Sequence, residues 1–410
     1  MLQQAIAALG ETVSPHVDLS KKRTETLGMI VVGMVSARTV NLSHLASERP
    51  GDVQLSSTYR RLQRFFQHVR LEQDWTAPLV SELAGLRGSN RWYLALDRTQ
   101  WQVGGRDVNY LVLAAVTRRF RVPLMWTMIE GRGCSATGER IELMQRYLDL
   151  FGVGSIRFLL ADREFVGREW MDFLSENNVP FAIRLRGDMR VTTDEGHELR
   201  LDAHLHRRGR GRTLTGRLGA GTDRGCHRLS ISAKPLEGGE WLAVATNAGP
   251  RAALEAYRKR WAIETMFGDT KTRGFNIEDT RLTDPAKLDL LMGLVALAIA
   301  WTARTAKNHL GTRWPPRKAH GYLAQSWFRT GFDLVRSRLR SDPLSAIQPW
   351  RRLLGNQPFR APLNSGVVAF LFNARRLTNQ MFKEANGGDA DSRLKCNVSS
   401  WLRNTSAGVL

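Results

Sequence analysis

The sequence predicts an α/β fold: a mixed-sheet core interrupted by a β-rich insertion, with helical N-terminal and C-terminal regions. Three observations carry this. Residues 1 to about 88 keep helical apolar spacing. From residue 91 the order becomes strand, strand, strand, helix, strand, helix, strand, the alternation of a mixed α/β sheet. Between 187 and 238 that rhythm gives way to short stretches rich in Gly, Arg, Thr and Ser. The implied partition is 1–88, a helical domain; 89–186 and 239–310, two parts of one core; 187–238, the insertion; and 311–410, a helical C-terminal region with a poorly ordered tail from Asn386.

RTETLGMIVVGMVSAR (23–38) reads as a helix, and SSTYRRLQRFFQHV follows a Pro-Gly turn at 50–51. In the latter, Leu62, Phe65, Phe66 and Val69 form an apolar stripe, Arg60 and Arg64 project elsewhere, and Ser56 or Ser57 can cap the start. A helix, a turn and a helix with arginines near its start is the layout of a helix-turn-helix reader, although helical hairpins with a charged outer face share it. RWYLALD (91–97), DVNYLVLAAVT (107–117) and RVPLMWTMI (121–129) form a three-strand meander. A helix at 135–152 starts near Ser135 to Glu139, and IRFLLAD (156–162) is apolar enough for a central strand covered on both faces. A helix at about 164–177 and the strand VPFAIRL (179–185) complete the first part.

In the insertion the pattern suggests short hairpins, with the basic turn around Arg208 and Arg210 either a phosphate-gripping tip or a solvated loop. WLAVATN (241–247) returns as a core strand, and Pro250 precedes a long helix. LLMGLVALAIAWTA (290–303) is shorter than the roughly 20 residues a bilayer crossing needs and is flanked by Asp289 and Arg304, so it reads as a buried helix.

With 60 Lys and Arg against 39 Asp and Glu, the net charge is +21 and the pI about 10.8. A polyanionic partner is the first expectation, and nucleic acid fits better than a membrane. Cys134, Cys226 and Cys396 form no CxxC pair, which suits reduced thiols, and the N-terminus lacks the order of a secretory signal; a cytoplasmic protein is expected.

The chemistry concentrates in AYRKRWAIETMFGDTK (256–271). On a helix, Tyr257, Arg260, Glu264 and Lys271 lie within a stripe roughly 60° wide. A solvent-facing helix could show the same. Two further acids, Asp97 closing YLALD and Asp162 closing FLLAD, change the balance: carboxylates at the ends of apolar strands need a partner, and three acids suit divalent metal ions. Strand with aspartate, two strands, helix, strand with aspartate, later helix with glutamate is the arrangement of a ribonuclease-H-like nucleotidyl transferase.

At this point the chain resembles bacterial DDE transposases of the insertion-sequence-four family, through Y-x2-R-x3-E-x6-K (Tyr257, Arg260, Glu264, Lys271) with LALDRT and LLADREF in order, over about residues 20–330. The resemblance implies that Asp97, Asp162 and Glu264 are catalytic and bind two Mg²⁺ ions, with Mn²⁺ as a substitute, for in-line attack on phosphorus. It implies that Arg260 holds Glu264 or a phosphate, and that Tyr257 and Lys271 grip the DNA backbone. It also implies that Trp241 stacks on a flipped base, against a rival role for Trp241 in core packing. The expected partners are double-stranded DNA, as terminal inverted repeats and as target, and a second copy of the chain in a dimeric DNA complex; no membrane is involved. The expected activity is cut-and-paste transposition through a hairpin, in the nucleoid, with Arg60, Arg64, Arg208 and Arg210 as further DNA contacts. A nuclease of the same fold without joining, or a non-catalytic DNA-binding derivative, are the alternatives. Trp261 reads as core. His204, His206, Cys226 and His227 match no familiar zinc spacing, GDTKT (268–272) lacks the Walker frame, and no G-x-S-x-G elbow occurs.

Overall fold

In the computed structural model, residues 1–86, 91–206, 212–219, 227–237, 239–319 and 321–353 are described. Arg208, Arg210, Cys226, Cys396 and the tail expected from Asn386 fall outside the described residues.

The chain begins with five helices: α1 (Leu2–Val13), α2 (Lys21–Ala37), α3 (Leu42–Ser47), α4 (Leu55–His68) and α5 (Thr76–Ala84). α2 is buried along most of its length, so it is the spine of this region. In α4 the apolar stripe of Leu62, Phe65 and Phe66 is buried while Arg60 and Arg64 are exposed, as the spacing predicts. Its cap differs from expectation. The helix starts at Leu55 with Gln54 before it and no side-chain cap, which puts Ser56 and Ser57 inside the first turn. α3 has six residues, and seven separate it from α4, more than the 3–4 of a helix-turn-helix turn.

One ten-stranded sheet follows. β1 (Trp92–Val103), β2 (Arg106–Val116) and β3 (Arg121–Ile129) are the antiparallel meander. Helix α6 (Thr137–Phe151) leads to β4 (Ile156–Ala161), and α7 (Arg168–Glu176) to β5 (Phe181–Arg184); β1, β4 and β5 pair in parallel. β6 (Arg190–Thr193), β7 (Glu198–Arg200), the short α8 (Leu201–His206), β8 (Arg212–Leu218) and β9 (Leu229–Pro235) come from the segment expected to form hairpins. Through β10 (Trp241–Thr246) these strands extend the same sheet, in the order β3-β2-β1-β4-β5-β10-β9-β8-β6-β7. The apolar character of β4 has its predicted cause. Leu159 and Ala161 join the main core, whereas Phe158 and Leu160 pack on the other face with Ala182, Leu242, Val244 and residues of the next helix.

That next helix is α9 (Pro250–Tyr257), with Pro250 at its first turn, where a missing N–H costs nothing. The single long helix expected here is two. Between α9 and α10 (Trp261–Thr270), Lys259 N–H donates to Ala256 O at 2.9 Å and Arg260 N–H to Tyr257 O at 2.9 Å, i to i−3 bonds that tighten the backbone into one 3₁₀-type turn.

α11 (Pro285–Leu310) carries the long apolar run. At 26 residues it is long and apolar enough by composition to cross a membrane, but most of that stretch is buried inside the protein. α12 (Trp327–Ser341) crosses it closely: a Cβ on Gly331 would collide with the carbonyl oxygen of Thr302 and stand 3.1 Å from Ala306 Cβ. Gly331→Ala should therefore lower stability by about 1–3 kcal/mol through overpacking. Gly138→Ala, in the open first turn of α6, should be neutral or stabilising by about 0.5–1 kcal/mol. Urea denaturation of the two variants checks the contrast, and equal midpoints would refute the close crossing.

Candidate active site

Parallel pairing places the first two acids. In β1 and β4, Ala95 pairs with Leu160 and Leu96 with Ala161, so the next residues in register are Asp97 and Asp162. Adjacent strands lie about 4.8 Å apart, and side chains in register point to the same face. That face is the one on which Tyr93 stacks on Phe158, with centroids 6.5 Å apart, and on which α9 packs. Asp162 stands just past the end of β4, as expected. Asp97 does not close its strand: β1 continues to Val103, because β2 accompanies it along its whole length.

The helices then deliver the third acid. α9 ends over the two aspartates, and the Tyr257 hydroxyl donates to Asp162 Oδ1 at 3.2 Å. One turn on, the buried Arg260 reaches all three carboxylates. Its Nη1 donates to Asp97 Oδ2 at 3.2 Å and its Nη2 to Glu264 Oε1 at 2.8 Å, while Asp162 Oδ2 lies 3.9 Å from the same Nη2. Asp97 also accepts from the N–H of Arg98 at 2.8 Å. Lys271 is not brought to the acids. It lies just past α10, where its Nζ donates to Gln100 O at 2.9 Å and pairs with Glu278 at 2.9 Å, tying the helix end to β1.

One guanidinium is thus shared by three acids. Burial pushes the Asp97 carboxyl up to about 6, against the opposing pulls of the Arg98 N–H and Arg260. Burial works against the Arg260 charge too, but Tyr257 and the three carboxylates outweigh it and hold its pKa above the ordinary value. Burial raises the Tyr257 hydroxyl well above its usual range, so it remains a donor.

The donor set is oxygen-only, with no Cys or His, which suits hard cations such as Mg²⁺ or Mn²⁺ and disfavours zinc. Three carboxylates facing a single monovalent side chain leave negative charge for a further cation to balance. With Arg260 between them, no three His, Cys, Asp or Glu side chains form a closed metal cage among the described residues. The acids fit a divalent ion in chemistry, and Asp97, Asp162 and Glu264 are the residues that would hold it.

Two features escaped the sequence reading. Arg98 and Glu164, each following closely on a site aspartate, form a bidentate pair (Nε to Oε1 and Nη2 to Oε2, both 2.8 Å) that clamps the segment after β4 to β1. The D-R of LALDRT and the D-R-E of LLADREF carried that signal. Trp261, expected in the core, is 63% exposed, with the Arg260 guanidinium 5.6 Å from its ring centroid. A tight turn at 258–260 rotates it outward. Trp241 is half-buried at the start of β10. His227 Nδ1 pairs with Asp172 Oδ1 at 2.8 Å.

Residues 94–301, just over half of the chain, match the family model of the transposase DDE domain. The chain belongs to the DDE transposase family. The matched segment of this transposase domain runs from β1 to the middle of α11 and so contains all three acids and the whole of α9 and α10. DDE transposases act on DNA with divalent metal ions, and the oxygen-only cluster agrees with that chemistry. No curated protein matches the chain.

Burial likewise raises Asp74 and Asp269 to about 6. For Asp74, Arg146 offsets only part of that effect, although the two pair at 2.7 Å. A folded-state pKa above the unfolded one means that the native protein holds its proton to higher pH. The stability from these acids is fully present below about pH 4 and is lost as pH rises through about 6. Without metal, the protein should thus lose stability between pH 4 and 7, on the order of a few kcal/mol at most. Asp74→Asn, remote from the cluster and tolerant of the left-handed φ of +60°, should flatten that slope. Thermal melts across that range in EDTA check both, and an unchanged slope would count against a buried, proton-binding Asp74.

Proposed function

We propose that the chain is a DNA transposase that cuts its element from flanking DNA and joins the freed ends to a target. The observation that carries this reading is the convergence of Asp97, Asp162 and Glu264 on Arg260 within a chain of the DDE transposase family. The Y-R-E-K spacing adds the insertion-sequence-four type, and the parallel β1-β4-β5 centre flanked by the β2-β3 meander supports a ribonuclease-H-like core. Two divalent ions, Mg²⁺ with Mn²⁺ as substitute, would activate the attacking oxygen and stabilise the leaving one when bound by the three acids.

The residues of the chain do the rest. Asp97 and Asp162 are fixed by strand register, Glu264 by the first turn of α10, and Tyr257 steadies Asp162 through its hydroxyl. Arg260 offsets part of the charge of the acids before substrate arrives and would meet a phosphate oxygen as it does. Lys271, anchored to β1 and Glu278, sets the end of α10 and offers a cation at its exposed edge. Trp241 and the exposed ring of Trp261 are flat surfaces on which an unpaired base can stack, as a hairpin step would need. On α4, Arg61 is engaged internally, donating to Thr26 Oγ1 at 2.8 Å and Lys22 O at 3.0 Å, whereas Arg60 and Arg64 face solvent and suit contacts to terminal-repeat DNA. Arg208 and Arg210, outside the described residues, would add to those contacts. The reading includes pairing of two DNA ends by a dimer, and action on the nucleoid in the cytoplasm.

Asp97→Asn, Asp162→Asn and Glu264→Gln should each lower cleavage of end-bearing DNA by at least about a thousandfold while leaving DNA binding in place. Gel assays of nicked and joined products with Mg²⁺ read this. Cleavage without any joined product would favour a nuclease of the same fold, and cleavage surviving the three substitutions would remove the acids from the chemistry.

Arg260→Gln should lower the melting temperature at pH 7.5 in EDTA, because three carboxylates lose their shared cation. Added Mg²⁺ should then raise that temperature more in the variant than in the wild type. Equal Mg²⁺ shifts would show that guanidinium and metal do not draw on the same carboxylates.

A further inference from the structure

Away from the acids, a group of cations gathers where α5 and α11 both end. A Cβ added at Gly85, the last-turn cap of α5, would stand 2.5 Å from Arg304 Nη1 and 3.0 Å from Lys307 Nζ, so both side chains converge on one spot. Arg119, in the turn between β2 and β3, and Arg352 complete the group: like charge from Arg352 acts on Arg304, and like charge from Arg304 and Arg119 acts on Lys307. No carboxylate among the described residues enters either balance. Arg304 and Lys307 have no hydrogen-bond or ion-pair partner among the described residues, and Arg304 Nε is buried and unsatisfied.

Helix ends explain part of this, since terminal carbonyls attract cations. Arg119 does serve that purpose, donating to Gly311 O at 2.8 Å and Thr312 O at 3.0 Å beyond α11. About half a negative charge at each helix end does not balance four cations, and burial with mutual repulsion pushes both Arg304 and Lys307 below their ordinary pKa. A fold that needed only capping would not crowd them. Next to the group, Trp314 is 40% exposed, with the Arg118 guanidinium 5.4 Å from its ring centroid, the mixture of cations and open aromatic surface that suits nucleic acid.

We propose that Arg304, Lys307, Arg119 and Arg352 form a second phosphate site for the backbone of duplex DNA, separate from the three acids. It rests on the reading of the chain as a DNA-processing enzyme. Val116, which closes β2 just before the turn that carries Arg119, pairs with Tyr93, four residues before Asp97 on β1, so this turn lies toward the start of β1 and away from the acids. The site holds duplex DNA away from the acids, positions it without reading sequence, and binds repeat and non-repeat DNA alike.

The test is fluorescence anisotropy of a labelled duplex with the full chain in EDTA, titrated at several KCl concentrations. Lys307→Gln and Arg352→Gln should each weaken binding several-fold at about 100 mM salt, on duplexes with and without the terminal repeat, and reduce the salt slope by about one. Lys307→Arg should bind as the wild type does. If the wild type binds and the Gln variants keep its affinity and slope, the phosphate site is refuted and the transposase reading stands. If Lys307→Arg loses as much as Lys307→Gln, packing rather than charge is responsible and the site is again refuted. Failure of the wild type to bind any duplex would overturn the functional reading itself.

Discussion

The parallel register of β1 with β4 is the constraint on which the site depends. A one-residue slip of either strand would turn its aspartate to the opposite face, because side chains alternate with period two. Register is secured by burial on both faces: Leu94 and Leu96 of β1 and Leu159 and Ala161 of β4 lie in the main core, while Phe158 and Leu160 are held under α9. The price of shifting is therefore paid twice, once in each core, and the two acids inherit that rigidity.

Over this fixed pair the helices are placed by their own packing. Ala253, Ala256 and Tyr257 seat α9 on Phe158, Leu160, Leu242 and Val244, and the small alanines bring the helix end down onto the aspartates. The 3₁₀-type turn at 258–260 then does two things. It keeps Arg260 directed at the acids, and it turns Trp261 out to solvent. A continuous α-helix would have carried Tyr257, Arg260, Glu264 and Lys271 along one stripe; the tightened turn and the end of α10 before Lys271 separate the lysine from the other three.

What could be read in the sequence follows from what periodicity encodes. That Asp97, Asp162, Glu264, Arg260 and Tyr257 come together was legible because strand and helix periods fix which residues share a face. The apolar β4 was legible because two-sided burial leaves no polar position. Neither period encodes an ending, so the extension of β1 past Asp97 was hidden: it depends on the length of β2, a partner elsewhere in the chain. Nor does local pattern show that the strands after residue 187 would join the same sheet, since that is decided by pairing between β9 and β10. Trp261 was misread for a related reason. Its neighbours are helical, and only the i to i−3 bonds preceding it reveal the rotation.

Electrostatics links the local site to the charge of the whole chain. Three clustered carboxylates repel a phosphodiester, so a protein that must bring DNA to them needs positive charge both at the cluster and around it. Arg260 supplies the first, shared among the acids, and its pull on Asp97 does not overcome the burial that keeps that carboxyl raised. The net charge of +21 supplies the second, but its distribution matters more than its size. Many surface cations are matched at short range, as Arg98 is by Glu164 and Arg228 by Asp194, and matched cations add little attraction. Cations with no partner among the described residues, such as Arg304 and Lys307, cost stability in the free protein and recover it only when an anion arrives. Such a cost is retained where binding benefits from it, which is why crowded, unpaired cations say more about where DNA lies than the total charge does.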